Sequence, residues 1–194
     1  DLDSRELSVL ARRGSGSAAR SIYGGFVEML PGERSDGSDS YAVPFLPERH
    51  WDLCCFVVLA ATGEKPMGST DAMMATEQTS PYYRAWVQSV AWDIQAAKNA
   101  ATQRDLIALG KVAEHSCLKF HASAIAADPG ILYWRGTTVE IIHHVRRLRD
   151  TGLAVFFTID AGPHVKVFCE APARAVRSRT PQPFKHWCHV GLHY

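Results

Sequence analysis

Two short stretches of this chain carry residue types that could do chemistry. The first is Arg13-Gly14-Ser15-Gly16-Ser17-Ala18-Ala19-Arg20-Ser21. Glycine permits positive φ and lets a ligand approach the backbone closely. Converging N–H groups, followed by a helix N-terminus, attract an anion. Ser15 and Ser17 add hydroxyl donors, and Arg20 can clamp a carboxylate or phosphate through two parallel bonds. The same spacing also suits a plain solvated turn ahead of an amphipathic helix. It is not a Walker loop, which needs GxxxxGK(S/T), nor a Rossmann turn, because Leu7–Ala11 reads as helix rather than buried strand. The second stretch is Asp160-Ala161-Gly162-Pro163, a tight turn with a carboxylate at its tip. There Asp160 can act as a base or simply form the turn.

A third candidate is Ser69, in the loop Thr62–Ala72 with Lys65 and Thr70. Ser69, Thr70 and Asp71 all suit a helix cap, and a capped helix start is also an anion site. The histidines give no chelating set. His143 and His144 are adjacent on a helix, and His115 and His121 are six apart rather than the four a helical zinc pair prefers. His121 suits a hydrogen-bonded core position or the lining of a site. Cys54 and Cys55 would point to opposite faces of a strand and read as small apolar residues, so no metal site is expected.

The elements that must position these residues follow from periodicity. Residues 1–10 form the end of an amphipathic helix, and a second helix runs from Ala18 to about Met29, weakened by Gly24-Gly25. Pro31–Ser40 is a surface loop, and Tyr41–Pro47 is extended. Leu53–Ala60, continuous and apolar, predicts a buried strand. Three helices follow. The first starts at Ser80-Pro81 with Trp86, Val87, Val90, Ile94 and Ala97 inward. The second spans about 103–126 with Leu106, Leu109, Ala113, Cys117, Phe120 and Ala124 on one stripe. The third spans 137–150 with Val139, Ile142, Val145 and Leu148 inward and Gly152 closing it. Leu153–Ile159 and His164–Phe168 form a hairpin around Asp160. Residues 174–194, with prolines, basic residues, His186, Cys188, His189 and His193, fit no element and no zinc spacing.

Composition sets the frame. The 194 residues are 46% hydrophobic and 21% charged with a formal net charge of +1, an ordinary globular balance that argues against a nucleic-acid or membrane-surface binder. Five cysteines without scaffold spacing favour a reducing cytoplasm. No apolar run approaches the roughly 20 residues that span a bilayer.

Arg13 to Val27 resembles the Gly/Ser-rich segment of diphosphomevalonate decarboxylases, which belong to the GHMP kinase superfamily with galactokinase, homoserine kinase and mevalonate kinase. The likeness continues in order through His50-Trp51, Gly68-Ser69-Thr70, Phe120-His121-Ala122 and Thr158–Pro163, covering about residues 4–170. The resemblance implies an α+β, GHMP-kinase-like fold: an antiparallel sheet with helices packed on one side and an incomplete N-terminal domain. It divides the chain into a remnant of that domain with the phosphate loop (1–62), a C-terminal α+β domain (63–173) and an atypical tail (174–194). The superfamily's main nucleotide-phosphate loop has no match here, so the chain looks like a C-terminal portion. The implied activity is ATP- and Mg²⁺-dependent decarboxylation of mevalonate 5-diphosphate to isopentenyl diphosphate, by a cytoplasmic homodimer. A monophosphate decarboxylase, a mevalonate 3-kinase or a non-catalytic anion-binding fragment would share most of the motifs. Asp160 and Arg20 would be catalytic, and Ser15, Gly16, Ser17 and Ser69 would hold phosphoryl oxygens. One departure stands out: after Asp-Ala-Gly-Pro the family usually has asparagine, and here the residue is His164.

Overall fold

Helix α1 (Ser4–Gly14) starts where Asp3 can cap it. In the computed structural model, which describes residues 1–61 and 67–171, the Asp3 carboxylate accepts from the Glu6 N–H at 2.8 Å, and Glu6 accepts from the Asp3 N–H at 2.9 Å. Two otherwise orphaned donors are thereby satisfied. The described residues form two units, one of residues 1–54 with Ala171 and one of residues 55–170.

In the first unit, α1 is followed by a 3₁₀ turn (Ala18–Ile22) and by strands β1 (Phe26–Met29) and β2 (Ala42–Leu46), which pair antiparallel. The helix expected from Ala18 to Met29 is therefore absent. Its first residues make one 3₁₀ turn, and Gly25 then takes φ +79°, with a Leu46 carbonyl so close that a Cβ would meet it at 2.3 Å. Only glycine fits there. Beyond that bend, Phe26–Met29 bonds to β2 instead of to its own preceding turn. Phe26 stacks on Trp51 with centroids 6.3 Å apart, and Ala19 and Ala42 are fully buried.

The second unit contains most of β3 (Leu53–Val58), then α2 (Ser69–Thr79), α3 (Tyr83–Gln103), α4 (Leu106–Ile125), α5 (Gly136–Asp150), β4 (Val155–Thr158) and β5 (Val165–Glu170). The sheet order is β3-β5-β4, and β4 pairs antiparallel with β5, Thr158 opposite Lys166. This is the α+β architecture that the resemblance implies. All six residues of the α4 stripe are buried, as the 3.6-residue period requires. Gly110 lets α4 and β4 touch, for a Cβ there would sit 2.6 Å from that of Phe156. Phe157, Ile159 and Val165 pack with Cys117, Ile142 and Val145 into one core cluster. Along the outer side of β4, the Glu114 carboxylate accepts the Phe157 N–H at 3.2 Å and pairs with Arg149 at 2.5 Å.

Three expectations change. A fourth helix, α2, begins within the stretch 62–72 read as loop and cap and continues to Thr79. Val87 and Val139 face outward, while Trp86, Val90, Ala97, Ile142 and Val145 are buried and Ile94 and Leu148 pack partly buried against the core. Strand β3 is not buried: it lies at one end of the strand order, with Phe56 58% and Val57 55% exposed. A continuous apolar run does not encode its place in a sheet. Among the described residues no helix is long and apolar enough to cross a membrane. The tail at 174–194 and Lys65 lie outside the described residues.

Candidate active site

Asp160 is carried by a turn whose backbone is tied down from several sides. The buried Ile159 carbonyl accepts from Cys117 Sγ at 3.6 Å and from His121 Nε2 at 3.3 Å, both on α4. Because a carbonyl only accepts, this contact makes His121 the Nε2–H donor, a hydrogen-bonded core histidine. Thr138, fully buried in the first turn of α5, donates to the Pro163 carbonyl at 2.9 Å and accepts from the Arg135 N–H at 3.1 Å. Gly162 takes φ +92° with Tyr133 and Trp134 beside it. His164 Nδ1 accepts the Ala60 N–H at 3.3 Å, so the histidine standing in the family's asparagine position ties the turn to the chain leaving β3. The Asp160 carboxylate itself stays about half exposed and forms an ion pair with Lys166 Nζ.

The electrostatics around the turn favour one charged acceptor. Burial pushes the Cys117 thiol up to about 12, and the Asp160 charge adds to that rise. Cys117 is therefore a neutral S–H donor, not a competing anion. The Trp134 indole N–H is buried and makes no hydrogen bond among the described residues, leaving a donor next to Gly162.

Ser69 is brought into the same neighbourhood by Tyr133. The Tyr133 hydroxyl donates to the Met67 carbonyl at 2.9 Å, while its ring packs with Met67, Ala72 and Ala161. Burial raises the Tyr133 pKa, with the Asp71 charge contributing, so the hydroxyl remains a donor. The start of α2 and the Asp160 turn thus share one aromatic support. Ser69 does not act as the cap: Gly68 takes that position, no side chain closes the helix end, and Ser69 is exposed as the first helical residue.

The Gly/Ser segment belongs to the other unit and is built differently. Gly14 ends α1, Ser15 is extended, and the hydroxyls of Ser15 and Ser17 lie 3.0 Å apart, exposed. Neither Gly14 nor Gly16 has positive φ, and a Cβ on either would meet no atom within 4 Å. The conformational freedom expected of these glycines is not used; what they leave is open space in front of the backbone. The element that follows is five residues of 3₁₀ helix, capped by no side chain, too short to supply the expected helix dipole. Arg20 lies in that turn and is buried. Its backbone is located by Ser8, whose hydroxyl donates to the Ala19 carbonyl at 3.0 Å and accepts the Ala42 N–H at 2.8 Å.

Sequence reasoning missed Ser8, Tyr133, Thr138 and Lys166. The first three are single polar residues in apolar surroundings, where periodicity carries no signal for their partners. Lys166 was within reach, since the hairpin register alone sets it opposite Thr158, two residues before Asp160. A groove of about 560 Å³ between β3 and α5, lined by Phe56, Val58, Ile141, Val145, Leu148 and Val167 among others, shares no lining residue with the turn.

Comparison with known proteins supplies the remaining context. Residues 55–179 match the family profile described as mevalonate 5-diphosphate decarboxylase C-terminal domain, and residues 1–42 match the diphosphomevalonate decarboxylase-like N-terminal domain. The human diphosphomevalonate decarboxylase is 39% identical over 169 residues, 84% of this chain and 42% of that protein. A solved structure described as MDDEF in complex with MVAPP, AMPPCP and magnesium is 38% identical with a TM-score of 0.81, covering 88% of this chain and 52% of that one. The mevalonate diphosphate decarboxylase from Staphylococcus aureus is also 38% identical with a TM-score of 0.81, covering 87% and 51%. The chain therefore spans about half the length of these solved relatives, and less of the human protein.

Proposed function

The chain belongs to the diphosphomevalonate decarboxylase family, and on that premise we propose that it forms part of an enzyme converting mevalonate 5-diphosphate and ATP to isopentenyl diphosphate, CO2, ADP and phosphate. The observation that carries this reading is the Asp160 turn, fixed by α4, α5 and His164 within the span that the C-terminal profile matches.

Asp160 accepts the proton of the substrate's tertiary hydroxyl as that oxygen bonds to the transferred phosphoryl group. A positioned base of this kind is worth roughly 10²–10⁴ in rate. The alcohol becomes acidic only as its bond to phosphorus forms, so an ordinary carboxylate suffices. Departure of the new phosphate leaves positive charge at the carbon that bore the hydroxyl, and the carboxylate then leaves as CO2. Arg20 orients the substrate carboxylate or a phosphate. Ser15, Gly16, Ser17 and Ser69 supply fixed N–H and O–H dipoles to phosphoryl oxygens, and the open space before Gly14 and Gly16 is where such oxygens could approach. Magnesium would neutralise phosphate charge. It ordinarily keeps few protein ligands beside phosphates. The same reading includes a cytoplasmic homodimer, checked by fractionation and by sedimentation.

The test is turnover of mevalonate 5-diphosphate by the full chain with ATP and magnesium, following phosphate and CO2 release together. Matched release that is lost in Asp160→Asn supports the assignment. Phosphate without CO2 would indicate a 3-kinase, and preference for the monophosphate would move the substrate assignment.

A further inference from the structure

The Asp160 turn is held at two consecutive residues from two sides. Thr138 of α5 donates to the Pro163 carbonyl at 2.9 Å, and His164 Nδ1 accepts the Ala60 N–H at 3.3 Å. Strand β3 ends at Val58 and β5 begins at Val165, so the Ala60–His164 bond lies just past both strands. There a side chain takes the place of the next ladder bond. A backbone N–H can only donate, which makes the ring a neutral imidazole with its proton on Nε2. That acceptor is conditional. Imidazole is the side chain that changes charge between pH 5 and 8, and once charged both of its nitrogens are donors. An Nδ1–H would then meet the Ala60 N–H head-on, and the bond must open.

We propose that His164 is a positioning residue for the Asp160 turn whose hold requires a neutral ring, so that acid releases the turn from the chain leaving β3 while the strands stay paired. The role in catalysis rests on the functional reading above, whereas the bond to Ala60 does not. Charged and titratable groups on the elements around the turn are Asp160 and Lys166 of the hairpin, Cys117 and His121 of α4, Tyr133 and Arg135 ahead of α5, Glu140 of α5 and Asp71 of α2. Asp160 pairs with Lys166, His121 meets the Ile159 carbonyl, Cys117 is a neutral thiol and Tyr133 bonds to Met67. Glu64 and Lys65, close along the chain from Ala60, lie outside the described residues. His121 is the second imidazole in this group, so the test has to act at position 164 itself. Asparagine and leucine make that possible. Asn Oδ1 is bonded to Cγ as His Nδ1 is, and accepts at any pH, while leucine copies the branch without an acceptor.

The experiment compares the full chain with His164→Asn and His164→Leu, using thermal melts to confirm folding at each pH. Nitrogen NMR of the wild-type imidazole at pH 8 should show the proton on Nε2 and none on Nδ1; a protonated Nδ1 overturns the proposal. In steady-state assays at pH 8, wild type and His164→Asn should have equal kcat, with His164→Leu lower by about fivefold, the worth of one ordinary hydrogen bond. At pH 5.5 the ratio of wild type to His164→Asn should fall by about the same factor, and the wild type should come to match His164→Leu. Taking the ratio removes the titration of substrate, Asp160 and His121, which the variants share. A ratio that stays constant between the two pH values overturns the proposal, as does a leucine variant equal to the asparagine variant at pH 8. If Asp160→Asn keeps full turnover, or the wild type shows none, the catalytic reading fails and the nitrogen spectrum still decides the bond to Ala60.

Discussion

The Asp160 turn and the Gly14–Ser17 segment hold their polar groups in contrasting ways. The turn is bonded through backbone carbonyls to Cys117, His121 and Thr138, and its His164 reaches back to Ala60. In the Gly/Ser segment the two hydroxyls bond each other at the surface, and the buried anchoring is one step removed, at Ser8. A group that takes a proton gains most from being placed before substrate arrives. Hydroxyls that surround phosphoryl oxygens can exchange a weak mutual bond for a charge-assisted one when the ligand binds. The difference in anchoring thus tracks the difference in proposed task.

Asp160→Asn tests the contrast most severely. Phosphate release should fall by roughly 10²–10⁴, while the thermal midpoint barely moves, because the carboxylate is half exposed; turnover within a few-fold of wild type would dissolve the distinction. Ser8→Ala comes next. It strands the Ala19 carbonyl and the Ala42 N–H in fully buried positions, so stability measured by urea titration should drop by about 2 kcal/mol or more. Thr138→Val removes the bond to Pro163 at nearly constant shape and should cost roughly 1–3 kcal/mol and also lower kcat, since the turn is loosened. The pair Ser15→Ala and Ser17→Ala should leave stability within about 0.5 kcal/mol but weaken ATP or substrate binding about tenfold, the scale of a lost hydrogen bond to a charged group. A large stability loss there would show that these hydroxyls serve the fold instead. The smallest effect concerns Cys117. Its thiol, pushed from 9.0 to about 12 in the folded chain, should resist alkylation at pH 8 while exposed Cys55 reacts. Its folded value lies above the unfolded one, so its contribution to stability is full below pH 9 and is lost as pH rises towards 12.

Much of this was legible in the sequence where side-chain pattern and burial coincide. The stripe Leu106, Leu109, Ala113, Cys117, Phe120 and Ala124 gave α4, and the alternation around Asp160-Ala161-Gly162-Pro163 gave the hairpin. The reading failed where a distant partner decides. Ala18-Ala19-Arg20 has good helix propensity, yet Gly25 packs against Leu46 and turns the chain into a strand. Leu53–Ala60 looked buried because apolar residues say that something can cover them, not where the strand lies in the order. Asp160 and Ser69 could be named as candidates from motif order, but their shared support, Tyr133, could not, since an isolated tyrosine does not announce which carbonyl it will find.

The bridge from Glu114 to the Phe157 N–H and Arg149 has a consequence for how the protein behaves in crowded solution. One border of the three-stranded sheet is sealed by α4, with a carboxylate sitting on an amide that a foreign strand would need. Stacking into a fibril requires two receptive borders on every subunit. A foreign strand is therefore hindered from pairing along β4, where the Phe157 amide is already engaged.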